Sequence, residues 1–570
     1  MNWSVINRVR RRSGALENEV IDHYVAGKIT RREFIRRGSV LGLGMTSLGA
    51  IVAACGDSAG DDTGGSATTT GDGTATTAAA AGSIQQGGTL RIAAQRPGSP
   101  LDPVAMDNIG SYTPVVLAFE YLCGPDGFSL VPMLAESWSP NDDGSVWTFN
   151  IRQGVKWHQG GELTAADVVA SLDRLAGANL SSYIDPGSAV AVDDHTVEVT
   201  LKNPDGQFPY QLSPYNPQAL ITPADYELGT LFDQKPNGTS AFKLESYDVA
   251  TGAKYVRFDD YWDGPPNLDG LELLFSDDNA TQINGLLGGQ ADAIIQFGVS
   301  DAEAIFASDA VTVDAIRGAG HRQIWFNVRE GTFAGENGAK IREAVALGID
   351  RQALVDTVLQ GRGDIGNDHP IAPAYEYFDA SQPQRERDID RAKALLEEAG
   401  AAGLALTMHA PELQEIALLA EVVQSQLTEI GLNITLNVES TSTFYEKWCK
   451  VYDSTNPPGG CDGGEEFGIV DYGNRATPDR YLVAAYATGE WNSAHYNSEE
   501  FNAAVAAYQA TVTLEDRKEA IKPVQEIANR DIPYVIPYFY NTLTAYAKNV
   551  TGVVHTGLGH YYVNKGGFTA

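Results

Sequence analysis

Between residues 388 and 439 the sequence runs helix, strand, helix, strand, and this run constrains the fold more than any other feature. DIDRAKALLEEAG starts on Asp388, sets Ala392, Leu395, Leu396 and Ala399 on one face and stops at Gly400, which describes a capped amphipathic helix. Residues 404–409 predict a strand. Residues 412–430 predict a long amphipathic helix ended by Gly431, and NITLNVE (433–439) a strand, from its alternation of apolar and polar positions. Strand, helix and strand of these lengths make a βαβ unit, whose strands lie parallel.

The first half of the chain reads differently. Strands predominate (TLRIAA, SVWTFNIR, TVEVTLK, AFKLESYDV, KYVRFDD, LELLF), and the turns NDDGS, DDH and NPDG separate them. Short helices are predicted at 164–176 and 279–288. The expectation is a β-rich, meandering first half followed by a doubly wound α/β half, with no internal repeat. At 570 residues there is room for three to four domains.

Charge excludes one class of function and marks off a leader. With 74 acidic and 40 basic side chains, net −34, the chain lacks the basic footprint of a nucleic-acid binder. Residues 1–54 nevertheless hold nine Lys/Arg against four acids, net +5, so the rest carries −39. After the basic region comes an apolar stretch, 39–54, of signal-sequence length but short of the roughly 20 residues of a membrane span. Arg31-Arg32 ahead of Phe34 resemble a twin-arginine export signal. VAACG resembles a lipobox, which makes Cys55 the lipidated residue. The segment to residue 86 is almost all Gly, Ala, Ser, Thr and Asp, and is expected to be a flexible tether. Of the four cysteines, Cys449 and Cys461 flank a Pro/Gly-rich loop. Either they form a local disulfide and Cys123 is a buried free thiol, or all three are buried thiols. No C-x-x-C or H-E-x-x-H is present, so no metal site is expected, and no cofactor.

Several blocks in order carry a resemblance. GGTLRIA with SPLDP opens it at 87–103, and LVPMLAESWSPNDDGSVWTFNIRQGVKWHQGGELTAADVVASLDRL follows at 130–175, with Gln159 in place of the usual turn Asp. Then come YWDGPPNLDGLELLF (261–275), RQIWFNV and KIREAVALGIDRQALVDTVLQGRG (322–363), FGIVDYG (467–473) and DIPYVIPYFYNTLTAYAKNVTGV (531–553). Over this span, about 87–550, the chain resembles the extracellular solute-binding proteins of ABC importers, family 5, the peptide- and nickel-binding class. The resemblance implies a two-lobed α/β fold like that of periplasmic binding proteins of class II, with the ligand cleft between lobes. It places one lobe at 87–321 with the end of the chain, 536–570, and the other at 322–535. A β-rich subdomain at about 125–230 decorates the first lobe, and the hinge lies near 322–328 and 535–540. It also implies function: a monomeric, non-enzymatic protein, which the lipobox-like segment at Cys55 anchors by lipid at the outer face of the cytoplasmic membrane. Such a protein captures a small solute, a peptide first and an oligosaccharide or nickel chelate second, and hands it to an ABC permease. The competing reading is a lipid-anchored extracellular hydrolase using cleft carboxylates.

The candidate site starts at Asp471. Residues 467–470 read as a strand, which puts Asp471 just past its carboxyl end, where open α/β sheets bind ligands. The family's peptide binders hold an α-ammonium with an Asp at the matching position; the alternative is a capping Asp. Arg475, which follows it, is a residue able to pair with Asp471 and neutralise it. Tyr472, Trp491 and Trp448 are candidates for flat apolar cleft walls, or else core. Arg362, between glycines, is either a fork for a ligand carboxylate or an exposed loop arginine. Asn108, Ser111 and Tyr112 lie in the stretch that faces the cleft in the family. The pairs Asp142-Asp143 and Asp277-Asp278 read as turn and helix-start residues. Glu465-Glu466 lack the regular oxygen spacing of a calcium loop. No G-x-S-x-G elbow or P-loop occurs.

Overall fold

The computed structural model describes residues 84–106, 108–229, 231–448, 465–486 and 491–569. Arg31, Arg32, Cys55, Cys449, Cys461 and most of the tether lie outside the described residues. Cys123 is a buried free thiol. The tether's predicted end is shorter than expected, because Ile84–Gln85 pair antiparallel with Gly567–Thr569.

Two seven-stranded sheets organise the described chain. The first takes β1 (Thr89–Gln95), β2 (Phe242–Asp248), β3 (Gly252–Arg257), β4 (Gly270–Ser276), β5 (Ala293–Phe297) and β6 (Val311–Ile316). The second takes β7 (His321–Phe326), β8 (Gly363–Ile365), β9 (Ala405–Glu412), β10 (Asn433–Ser440), β11 (Phe467–Tyr472), β12 (Tyr534–Val535) and β13 (Tyr538–Tyr540). The chain then returns to the first sheet as β14 (Thr542–Ala547), between β5 and β6. The orders are β6-β14-β5-β1-β4-β3-β2 and β8-β13-β7-β11-β9-β10, with β12 also on β7.

The βαβ unit matches its sequence pattern. Asp388 accepts from the Arg391 N–H at the start of a helix, Ile389–Glu398, and Gly400 follows with φ 68°. β9 and β10 pair in parallel from Ala405 with Asn433 to Glu412 with Ser440. The helix between them starts at Ile416, four residues later than its pattern suggests, because the strand runs on to Glu412. The first half is less of a meander than expected. β1 is parallel to both neighbours, β4 and β5, with the helix Asn279–Leu287 as crossover, so this sheet is mixed. Meanders remain in β2-β3-β4, which pair antiparallel in sequence order, and in a separate antiparallel sheet of Ala135–Pro140, Val146–Ile151, Thr196–Thr200 and Ala189–Asp193.

Each sheet has its own core. Leu90 and Ile92 of β1, Leu273 of β4 and the small sheet's Phe149 and Val197 belong to one. Ile324, Met408, Leu419, Val423 and Ile469 belong to the other. In β11, Gly468 is where the ladder passes closest: an added Cβ would lie 2.3 Å from both the His409 carbonyl and the Trp325 ring. The chain crosses between sheets at 317–320 and again at Asn541. The crossings run side by side, with the Tyr540 N–H on the Gly320 carbonyl at 2.9 Å.

Candidate functional site

Where the crossings meet the second sheet, one arginine gathers the nearby acids. Arg322 sits in β7, fully buried. Its Nε and Nη2 fork onto Glu415 at 2.8 and 3.0 Å, and Nη2 also reaches Gln414 Oε1 at 2.7 Å. Nη1 donates to Asp471 Oδ1. The Tyr540 ring lies under the guanidinium, 4.2 Å from centroid to Cζ. The Tyr540 hydroxyl donates to Asp471 Oδ1 at 3.3 Å and the Tyr538 hydroxyl to Glu415 Oε1 at 3.1 Å. One positive and two negative groups leave the cluster one negative charge in surplus. Burial works against the Arg322 charge, yet Glu415 and Asp471 hold its pKa well above the ordinary value. Burial raises the Asp471 carboxyl against the pull of Arg322, with Glu415 adding to the rise.

Two placements differ from the sequence reading. Asp471 lies inside β11, opposite Arg322 in the ladder, because the pairing with β7 continues to His321 and Tyr472. Its cationic partner is Arg322, not Arg475. Asp471 keeps 24% of its side chain accessible, against 8% for Glu415. Its Oδ2 takes no hydrogen bond from the described residues.

The predicted aromatics come together as packing. Tyr472 is buried, stacked on His321 at 5.5 Å, with its hydroxyl on the Trp491 carbonyl at 3.0 Å. Trp491 and Trp448 meet its ring edge-on at 6.2 and 6.3 Å. Burial pushes the His321 imidazole down to about 3, so it is neutral and donates from Nδ1 to the Ala319 carbonyl. Asn108 caps the helix Ile109–Val116 by accepting from the Ser111 N–H, and the buried Ser111 hydroxyl bonds Ser99. Arg362 lies 3.6 Å over the Phe306 ring and donates to the Gln360 carbonyl. Asp143 caps a turn, Asp278 is the N-cap of the helix Asn279–Leu287, Asp277 pairs with Arg96, and Glu466 accepts from the Thr332 N–H. Among the described residues no group of three His, Cys, Asp or Glu is placed to hold a metal ion.

Two cavities lie beside these elements. The larger, about 530 Å³, is lined by Tyr112, Tyr183, Tyr210 and Tyr215, by carboxamides of the 179–218 region, and by Arg475 and Arg480. It has the size of a small-molecule site. Of the predicted residues, Tyr112 is the one on its wall, stacked on His560 at 5.8 Å. The smaller, about 230 Å³, has Gln95, Asn279, Gln282, Gln296 and Gln414 on its wall and no charged side chain. Gln95 and Gln296 stand at the carboxyl ends of β1 and β5, the parallel strands of the first sheet, which is the expected place for a ligand. Gln414 belongs to the second half and adopts φ 48°, a left-handed conformation that non-glycine residues rarely hold without support. It touches both this cavity and Arg322. Sequence patterns do not single out Arg322, Glu415 or Gln414 as site residues. The one signal they carry is an arginine inside an otherwise apolar strand, RQIWF.

Residues 129–455 match the family described as Bacterial extracellular solute-binding proteins, family 5 Middle. The heme-binding protein A of Haemophilus influenzae is 25% identical over 469 residues, covering 75% of this chain and 82% of that protein. The glutathione-binding protein GsiB of Salmonella typhi is 26% identical over 472 residues, covering 79% and 89%. The structure of HbpA2 from Haemophilus parasuis superposes with a TM-score of 0.73 at 22% identity, covering 85% of this chain and all of that one.

Proposed function

Because this chain belongs to the family 5 bacterial extracellular solute-binding proteins, the non-enzymatic substrate-binding components of ABC importers, we propose that its ligand is a di- or oligopeptide anchored by its α-ammonium on Asp471. The observation that carries this reading is the Arg322 cluster: two carboxylates face one guanidinium, and Asp471 Oδ2 is the acceptor left without a donor among the described residues. A ligand ammonium there balances the surplus charge. GsiB, a glutathione binder, gives the peptide class a precedent among relatives. The lobes divide at the two adjacent crossings, with 87–316 and 542–570 in one and 321–540 in the other, and they close about those crossings. Closure requires that the closed form bind ligand more tightly than the open one.

The test uses a pool of di- and tripeptides read by native mass spectrometry, followed by calorimetry and small-angle scattering with the tightest member. The expected results are one-to-one binding, compaction on saturation, and a loss of about tenfold to a few hundredfold in Asp471→Asn, the worth of a charge-assisted hydrogen bond. Equal affinity in Asp471→Asn overturns the ammonium assignment. A second reading has its own observation: the five carboxamides of the smaller cavity suit the hydroxyls of a sugar. An oligosaccharide pool that binds where the peptide pool does not establishes it.

The mature protein is a monomer tethered through lipidated Cys55 to the outer face of the cytoplasmic membrane, beside its permease. Cys55→Ala is expected to leave the protein soluble or unprocessed. Lipidation at the parent level in that variant overturns the anchor.

A further inference from the structure

We infer that Arg475 is the receptor for an anionic group of the ligand, a carboxylate, in the larger cavity. The inference rests on the peptide reading and adds a second, opposite pole to it. The segment around Arg475 is held from three sides. The Asn474 carboxamide accepts from the Ala319 N–H at 2.6 Å, the Tyr481 hydroxyl donates to the Gly473 carbonyl at 2.6 Å, and the Tyr375 hydroxyl donates to the Arg475 carbonyl at 2.9 Å. A side chain leaving so fixed a backbone is aimed, and it lines the cavity.

Its guanidinium is underused. It makes one hydrogen bond, from Nη1 to the Asn474 carbonyl at 2.9 Å, and no ion pair among the described residues. Four other sheltered arginines of this half have an ion pair or several acceptors, whereas Arg517, buried with one hydrogen bond to the Thr511 carbonyl at 3.3 Å, lines neither cavity. Arg322 has Glu415 and Asp471, Arg351 and Arg385 share Asp368, and Arg342 donates to three main-chain carbonyls. The acids nearest Arg475 in sequence are occupied. Asp471 belongs to Arg322, and Asp479 accepts from Gln207 at 2.9 Å and from Tyr508 and Gln509 at 3.3 Å. The cavity wall therefore carries two arginines against one acid, in a chain of net charge −34. The overall field repels anions, so a cationic wall inside it is a local provision for one. A guanidinium on a wall of tyrosine rings and carboxamides matches the fork of a carboxylate.

The experiment compares the di- and tripeptide pool as free acids with the same peptides as C-terminal amides, on the parent, Arg475→Gln and Arg475→Lys. The parent is expected to bind acids about tenfold to a hundredfold more tightly than amides, the range of a charge-assisted pair. Arg475→Gln is expected to lose that preference while binding amides as the parent does, and Arg475→Lys to recover part of it. Thermal melts of the ligand-free variants identify any folding defect. Equal binding of acids and amides by the parent overturns the assignment of Arg475 and leaves the peptide reading standing. So does a preference that persists in a folded Arg475→Gln. Binding of neither pool overturns the peptide reading and the carboxylate pole with it.

Discussion

Arg322 and Arg475 belong to neighbouring segments of the second half, yet they meet opposite surroundings. Arg322 is buried beneath Tyr540 with two carboxylates and a carboxamide on its N–H groups. Arg475 is half-buried on a cavity wall with one main-chain carbonyl. The first arrangement is closed on itself apart from one carboxylate oxygen. The second is open. A buried charge is tolerated when its partners are built in, and an arginine left without them at a cavity points to a partner that comes and goes.

The largest expected effect breaks the closed arrangement. Arg322→Met leaves Glu415 and Asp471 facing each other without a cation. Removing one member of a buried ionic group costs about 3–5 kcal/mol, so the midpoint of urea unfolding is expected to drop sharply. A loss under about 1 kcal/mol contradicts the claim that Arg322 holds this cluster together.

A buried carboxyl of the first half, Glu120, has no ion pair among the described residues. Glu120 is 2% exposed and accepts from the Tyr261 hydroxyl at 2.8 Å and from Trp262 Nε1 at 3.1 Å. Burial pushes its carboxyl up to about 7, with the neutral donors and Arg152 pulling against the rise. The folded form thus keeps a proton that the unfolded form releases above about pH 4.5. Stability from this group is gained as pH falls from above 7 toward 4.5, and lost as pH rises through 7. Glu120→Gln should therefore gain on the parent between about pH 5 and pH 8, by up to about 3 kcal/mol, since each tenfold change in proton affinity is worth about 1.4 kcal/mol. Melts at the two pH values measure it, and a parallel response of variant and parent sinks the idea.

These sites differ in how far the sequence announces them. The βαβ unit is legible because its signals are local: Asp388 and Gly400 bound one helix, and the alternation of NITLNVE sets a strand. The position of Asp471 within its strand is not, because the end of β11 is set by its partner β7, distant in sequence. The Arg322 cluster is further from view, since it joins residues 93 and 149 positions apart. No local pattern records such a meeting. In the sequence, Arg475 is a residue able to neutralise Asp471, which leaves Asp471 either free or paired with it. Only the fold places Arg322 there instead and turns Arg475 to the cavity.

The smallest expected effect tests the open arrangement. Arg475→Gln removes a guanidinium whose one hydrogen bond among the described residues is to the preceding carbonyl. The backbone contacts that fix this segment come from Asn474, Tyr481 and Tyr375 and remain in place. Glutamine keeps a donor and leaves no charge stranded, because no acid among the described residues relies on Arg475 for its pairing. The loss of ligand-free stability is therefore expected to stay within about 0.5 kcal/mol, as for substitutions away from packed features. The same variant loses its preference for free-acid peptides, so the two measurements separate a binding arginine from a structural one. If urea unfolding shows Arg475→Gln destabilised by about 2 kcal/mol or more, Arg475 holds the fold together as Arg322 does, and the contrast between the two collapses.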